Sequence, residues 1–143
     1  MSTQSYNTTK QGDGTQVNLG TSDDLLVGKH GLINNTDQST NAEPTIIGTG
    51  SGHHAEILGT VSGHFEALRL GIINEGHDQY VKIGGNGRLL SDRGDALAVY
   101  GSHSTVVNDG IIDGGAIMWG DDKNTHSTIE NNGTITASGA RSS

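Results

Sequence analysis

The chain carries seven histidines and sixteen acidic side chains in 143 residues, and these are the groups able to bind metal or move protons. His103 and His126 each stand seven residues before a glycine, Gly110 and Gly133, so they share a register. On neighbouring strands they would stack about 4.8 Å apart. Two such imidazoles with a third ligand can hold zinc, while the plainer reading is a solvated pair whose double protonation is disfavoured by like charge. His53, His54 and His77 lie near this column in other registers. Carboxylates gather at Asp23-Asp24, at Asp92 with Asp95, and at Asp121-Asp122-Lys123. A carbohydrate-active enzyme would need such acids in one groove, yet turn aspartates are routinely structural. One tryptophan, one phenylalanine and three tyrosines offer little sugar-stacking surface, so an enzyme is not expected.

These groups need elements to hold them, and the elements are legible as a repeat. Gly31, Gly59, Gly87, Gly110 and Gly133 stand 28, 28, 23 and 23 residues apart, a period that belongs to solenoids. Four positions before each lies Val27, Ala55, Ile83, Val106 or Ile129; two positions after it lies Ile33, Val61, Leu89, Ile112 or Ile135. Both columns are apolar throughout and are expected to form the core. A third segment aligns on Ala67, Ala96 and Ala116, with Pro44 in the alanine's place in the first coil. Strand alternation then sends Leu68, Leu70, Leu97, Val99, Ile117 and Trp119 to one face, and Arg69, Ala98 and Met118 to the other.

A strand of four or five residues cannot shelter its own apolar side chains, so each coil needs the next. The expected fold is all-β: a single-stranded right-handed parallel β-helix of about five coils, three short strands per coil. Residues 1–14 read as a tail or cap and residues 141–143 as a C-terminal tail. The solenoid spans 15–140, in coils of 15–48, 49–76, 77–101, 102–124 and 125–140. Corner glycines are expected where turning demands positive φ. Asn108 and Asn131 occupy one such corner and are expected to form a hydrogen-bonded ladder. Two longer repeats place their extra residues in loops, and Asn34, Asn35, Asp37, Glu75, His77 and Asp78 are the expected binding-loop residues.

Composition narrows the partners. Net charge is −8, with no basic patch interleaved with aromatics, which argues against nucleic acid. Cysteine is absent, so no disulfide or thiolate metal site exists. No apolar run approaches a membrane span, and no secretory signal is visible at the N-terminus.

Residues 104–117 (Ser-Thr-Val-Val-Asn-Asp-Gly-Ile-Ile-Asp-Gly-Gly-Ala-Ile) and 127–140 (Ser-Thr-Ile-Glu-Asn-Asn-Gly-Thr-Ile-Thr-Ala-Ser-Gly-Ala) resemble the repeats of bacterial autotransporter passengers and related calcium-dependent exoproteins. The likeness is clearest over residues 102–140 and is one of repeat style. It implies an extracellular or cell-surface scaffold or adhesin of bacterial origin. Gly84-Gly85-Asn86-Gly87-Arg88-Leu89 is similar to part of the RTX calcium nonapeptide, but Leu89 stands where that motif has its ligating aspartate. Arg93-Gly94-Asp95 spells an integrin-type tripeptide that the repeat itself accounts for, since 94–97 aligns with 114–117.

The expected function is a non-enzymatic structural or adhesive module, partnered by copies of itself stacked through open coil edges or by a surface glycan. The alternative is a calcium- or carbohydrate-binding module; a polysaccharide lyase or epimerase ranks below both. No cofactor is expected. The candidate metal ligands are His103, His126, Asp92 and Asp95.

Overall fold

Leu25-Leu26-Val27, Val81-Lys82-Ile83 and Val106-Val107-Asn108 alternate an inward side chain with an outward one over too few residues to bury anything alone. In the computed structural model, which describes residues 2–72, 75–119 and 126–137, each such segment is covered by its counterpart in the next coil. The first coil comprises β1 (Thr3–Tyr6), β2 (Thr9–Gly12) and β3 (Val17–Leu19), and the second β4 (Asp24–Val27), β5 (Leu32–Asn35) and β6 (Ile46–Gly48). The third comprises β7 (His54–Ile57), β8 (Thr60–Gly63) and β9 (Leu68–Leu70), and the fourth β10 (Tyr80–Ile83), β11 (Arg88–Ser91) and β12 (Leu97–Tyr100). The fifth comprises β13 (Thr105–Asn108), β14 (Ile111–Asp113) and β15 (Ala116–Trp119), and the last described coil β16 (Thr128–Asn131) and β17 (Thr134–Thr136).

Every pairing is parallel and joins coil to coil, in the orders β1-β4-β7-β10-β13-β16, β2-β5-β8-β11-β14-β17 and β3-β6-β9-β12-β15. The chain is therefore an all-β parallel solenoid with three strands per coil; among the described residues there is no helix. The opening residues are strands within this stack, with β1 on β4 and β2 on β5.

The interior is a set of vertical files. Ile33, Val61, Leu89, Ile112 and Ile135 form one, in register from coil to coil. The other expected column divides into two. Leu25, Ala55, Val81, Val106 and Ile129 share one file; Val27, Ile57, Ile83, Asn108 and Asn131 share the next. The cause is corner length. Four residues separate β4 from β5 and β10 from β11, whereas two separate the corresponding strands of the other described coils after the first. Counting back four from the glycine therefore lands two residues apart, on the same face but a different file. Each Val, Leu or Ile fully buried this way contributes about 1.5–3 kcal/mol.

The corner glycines have a different reason from the one expected. None of Gly31, Gly59, Gly87, Gly110 and Gly133 has positive φ. Each lies against backbone of the coil below: a Cβ on Gly87 would strike the Ile57 carbonyl oxygen, and one on Gly133 that of Gly110. The glycine column is thus a close-approach column.

The third sheet corrects the alanine alignment. The residue beside Ala67 in the second coil is Thr45, since Ile46 pairs with Leu68. In the fifth coil the place of Ala96 is taken by Gly115, whose carbonyl accepts from the amides of Ala96 and Leu97. Gly114 and Gly115, with φ of 125° and 96°, turn this corner in two residues and slip the register by one. A one-residue slip exchanges faces. Ala116 and Met118 consequently pack on the core, while Trp119 points outward and is 55% exposed.

Candidate functional site

A polar concavity lies on the outer face of the sheet containing β5, β8, β11 and β14. Asn34, Ser62, Leu90, Asp113 and Thr136 occupy successive outward positions there. The first four of these, with Gln38 from the long loop after β5 and Asp92 from the corner after β11, line a groove of about 520 Å3. The loop is pinned from below. Buried Asn35 accepts from the amides of Gly14 and Asp37, and its Nδ2 donates to the Glu43 carbonyl at 2.8 Å. The Asp37 carboxylate accepts the Ser39 amide at 2.9 Å, and hydrogen bonds from the Ser39 amide and hydroxyl hold its carboxyl below the usual range.

Several groove side chains already have partners. Ser62 Oγ donates to Asn34 Oδ1 at 2.8 Å, and Thr136 Oγ1 donates to Asp113 Oδ1 at 2.8 Å. His64 Nδ1 lies 2.8 Å from Asp92 Oδ1, tying the corner of the third coil to that of the fourth. What faces outward is amide, hydroxyl and carboxylate around one leucine, a surface suited to hydroxyl-rich ligands.

A second outer surface lies on the sheet of β6, β9, β12 and β15. Ile47, Arg69, Ile72 and Tyr100 border a cleft of about 400 Å3, and Trp119 pairs in register with Tyr100 on the adjoining strand. Glu66 accepts from Arg69 Nη2 at 2.7 Å beside it. Counting aromatics in the sequence did not reveal this pair, because the slip at Gly114-Gly115 is what brings Trp119 to the outside.

The candidate metal ligands are distributed as follows. His103 and His126 are neighbours on adjacent coils, their rings tilted by 43° with centroids 5.6 Å apart. Asp92 is engaged by His64, and Asp95 sits partly buried at the end of the same corner. Among the described residues no three His, Asp or Glu side chains form a metal-binding group. The expected loop residues do not form one set: Asn34 and Asn35 are the last two residues of β5 and not loop residues, Asp37 lies in the loop after β5, and Glu75, His77 and Asp78 follow β9. His77 Nδ1 is 2.7 Å from Asp78 Oδ2. The Gly84–Leu89 motif is a corner running into β11 with Leu89 fully buried, and Arg93-Gly94-Asp95 is the corner after β11. Asp121, Asp122 and Lys123 lie outside the described residues, as do residues 73–74 and 138–143.

At the asparagine corner Asn108, fully buried, donates from Nδ2 to Asn131 Oδ1 at 2.8 Å and to the Thr134 carbonyl at 3.0 Å, while its Oδ1 accepts the Gly110 amide. A second polar column escaped sequence reasoning. Ser2, Asp23, His53, Gln79, Ser104 and Ser127 each immediately precede the first strand of a coil. The signal was a polar residue just before each apolar alternation, visible only after strand starts are known.

No protein-family description, curated protein or solved structure matches this chain. Among the described residues no helix is long and apolar enough to cross a membrane.

Proposed function

We propose that this chain is a non-enzymatic structural or adhesive solenoid module of a bacterial surface or secreted protein, in the style of autotransporter-passenger and RTX-like repeats. In this reading it self-associates through the open edge of the last described coil. The observation that carries the reading is the asymmetry of the stack. The first coil places Gln4, Tyr6 and Lys10 over the apolar files, and an inward charged side chain blunts an edge against further pairing. The last described coil leaves Ile129 41% exposed over Val106. Light scattering across a concentration series tests this. Concentration-dependent association that Ile129→Lys abolishes and Lys10→Glu leaves intact is expected; a strict monomer at high concentration removes the assembly half.

A glycan-binding reading is favoured by the amide, hydroxyl and carboxylate groove at Asn34, Gln38, Asp92 and Asp113, and by the Tyr100–Trp119 pair. Aromatic faces with flanking hydrogen-bonding groups hold sugar rings. Calorimetric titration with neutral and acidic glycans, with and without calcium, tests it. Heat that Gln38→Ala or Trp119→Ala removes supports glycan binding, and no heat with any ligand excludes it.

A further inference from the structure

We propose that the folded solenoid holds His53 as an imidazolium, so that the corner before β7 is a buried proton-binding site that tightens the stack as pH falls. The polar column before the first strand of each coil supplies the argument. In four of its five steps, the backbone amide of one residue donates to the side chain of the next. Ser2 N donates to Asp23 Oδ1 at 2.8 Å, His53 N to Gln79 Oε1 at 3.1 Å, Gln79 N to Ser104 Oγ at 3.2 Å and Ser104 N to Ser127 Oγ at 3.0 Å. The step from Asp23 to His53 is inverted. The Asp23 amide turns to the Gly20 carbonyl at 3.0 Å, and the His53 ring meets the Asp23 carbonyl oxygen instead.

Both ring nitrogens face acceptors. Nδ1 is 3.0 Å from the Asp23 carbonyl oxygen, and Nε2 is 2.8 Å from the Thr49 carbonyl oxygen. A carbonyl oxygen can only accept, and neutral imidazole has one N–H and one lone pair. A neutral ring would therefore set a lone pair against an oxygen in a site where His53 is 1% exposed. The protonated ring donates twice, in charge-assisted bonds about twice as strong as neutral ones. Its seat is built into the core. Gly48 lies in the inward file between Leu19 and Leu70, and a Cβ there would meet His53 Nε2 at 3.0 Å. The ring fills the space the glycine leaves.

The charged groups on the surrounding elements are otherwise engaged or directed outward. The Asp23 carboxylate is bound by Ser2 and Gly20; His54 stacks on Tyr80 at 4.7 Å; His77 and Asp78 pair with each other. Asp24 on β4 and Glu56 on β7 alternate to the outer face. Carbonyl dipoles, with no carboxylate, thus carry the compensation for the buried charge. The sign follows from linkage. A proton held by the folded corner and by no such seat in the unfolded chain couples folding to proton uptake, so under this proposal stability rises as pH falls.

The test is long-range proton–nitrogen correlation NMR on the 15N-labelled full chain near pH 8, about 1.5 units above the ordinary imidazole value. Two hydrogen-bearing ring nitrogens at His53 are expected; one bare nitrogen overturns the proposal. Urea unfolding of the same chain and of His53→Gln between about pH 8 and about pH 5.5 provides a second reading. The urea midpoint of the native chain should rise on acidification relative to the variant, and parallel behaviour of the two overturns the assignment. Should His53→Gln fail to fold, the NMR measurement on the unaltered chain decides alone.

Discussion

Over Leu25, Val27 and Ile33 the first coil sets Gln4, Tyr6 and Lys10; over Val106, Asn108 and Ile112 the last described coil sets Ile129, Asn131 and Ile135. The same three files carry different side chains in these two coils. At the first coil the polar residues satisfy each other, with Tyr6 donating to Gln4 Oε1 at 2.8 Å and Gln4 Nε2 donating to the Asn18 carbonyl at 2.9 Å. Burial raises the Tyr6 hydroxyl above its ordinary value, as expected for a ring lying on the core. The last described coil instead keeps isoleucine in two of the three files, with Asn131 continuing the polar residue of Asn108 in the third. In the first coil the file residues are polar while the strand geometry stays unchanged.

The largest break in this comparison should come from the layer just inside the polar end. Ile33→Ala removes a fully buried side chain beneath Lys10 and should cost about 2–5 kcal/mol in urea unfolding. A smaller loss, about 1–3 kcal/mol, is expected from Asn108→Ala, which strands the Gly110 amide and frees Asn131. Hydrogen exchange should then show β16 and β17 losing protection before β7 to β12 do. Ile129→Ala, at the apolar end, should cost about 1 kcal/mol or less, because that side chain is already largely in water. If it costs as much as Ile33→Ala, the two ends are not different.

The smallest effect belongs to Asp23. Hydrogen bonds from the Ser2 hydroxyl, with those from the Gly20 and Ser2 amides, hold its carboxyl below the usual value of 3.8. A depressed carboxyl stabilises the fold fully above its unfolded value and ceases to do so as pH falls through the folded one. Below about pH 4 the β1 amides should therefore exchange faster than those of β7, and Asp23→Asn should remove that difference.

Much of this was readable from residue order. The glycine period, the apolar positions on either side of it and the Asn108–Asn131 corner all rest on local alternation and repeat spacing. The groove was readable only in part: Asp92 falls in a turn-rich segment, but Asn34, Ser62, Leu90 and Asp113 are outward strand positions that look like any others until the coils are stacked. Their grouping depends on which rung each strand occupies, and that is set by loop lengths between strands.

What the sequence determined by itself is that successive side chains of a strand take opposite faces, because alternation has a period of two and needs no partner. What tertiary structure alone decided is the rung and the neighbour. Corners of two or four residues keep the face but move Val27 and Ile83 to a different file from Val106, and the two turned glycines at 114 and 115 shift one strand by a single residue, sending Trp119 out and Met118 in. The same holds for His53, whose two carbonyl partners come from different corners and meet only when the coils close over Gly48.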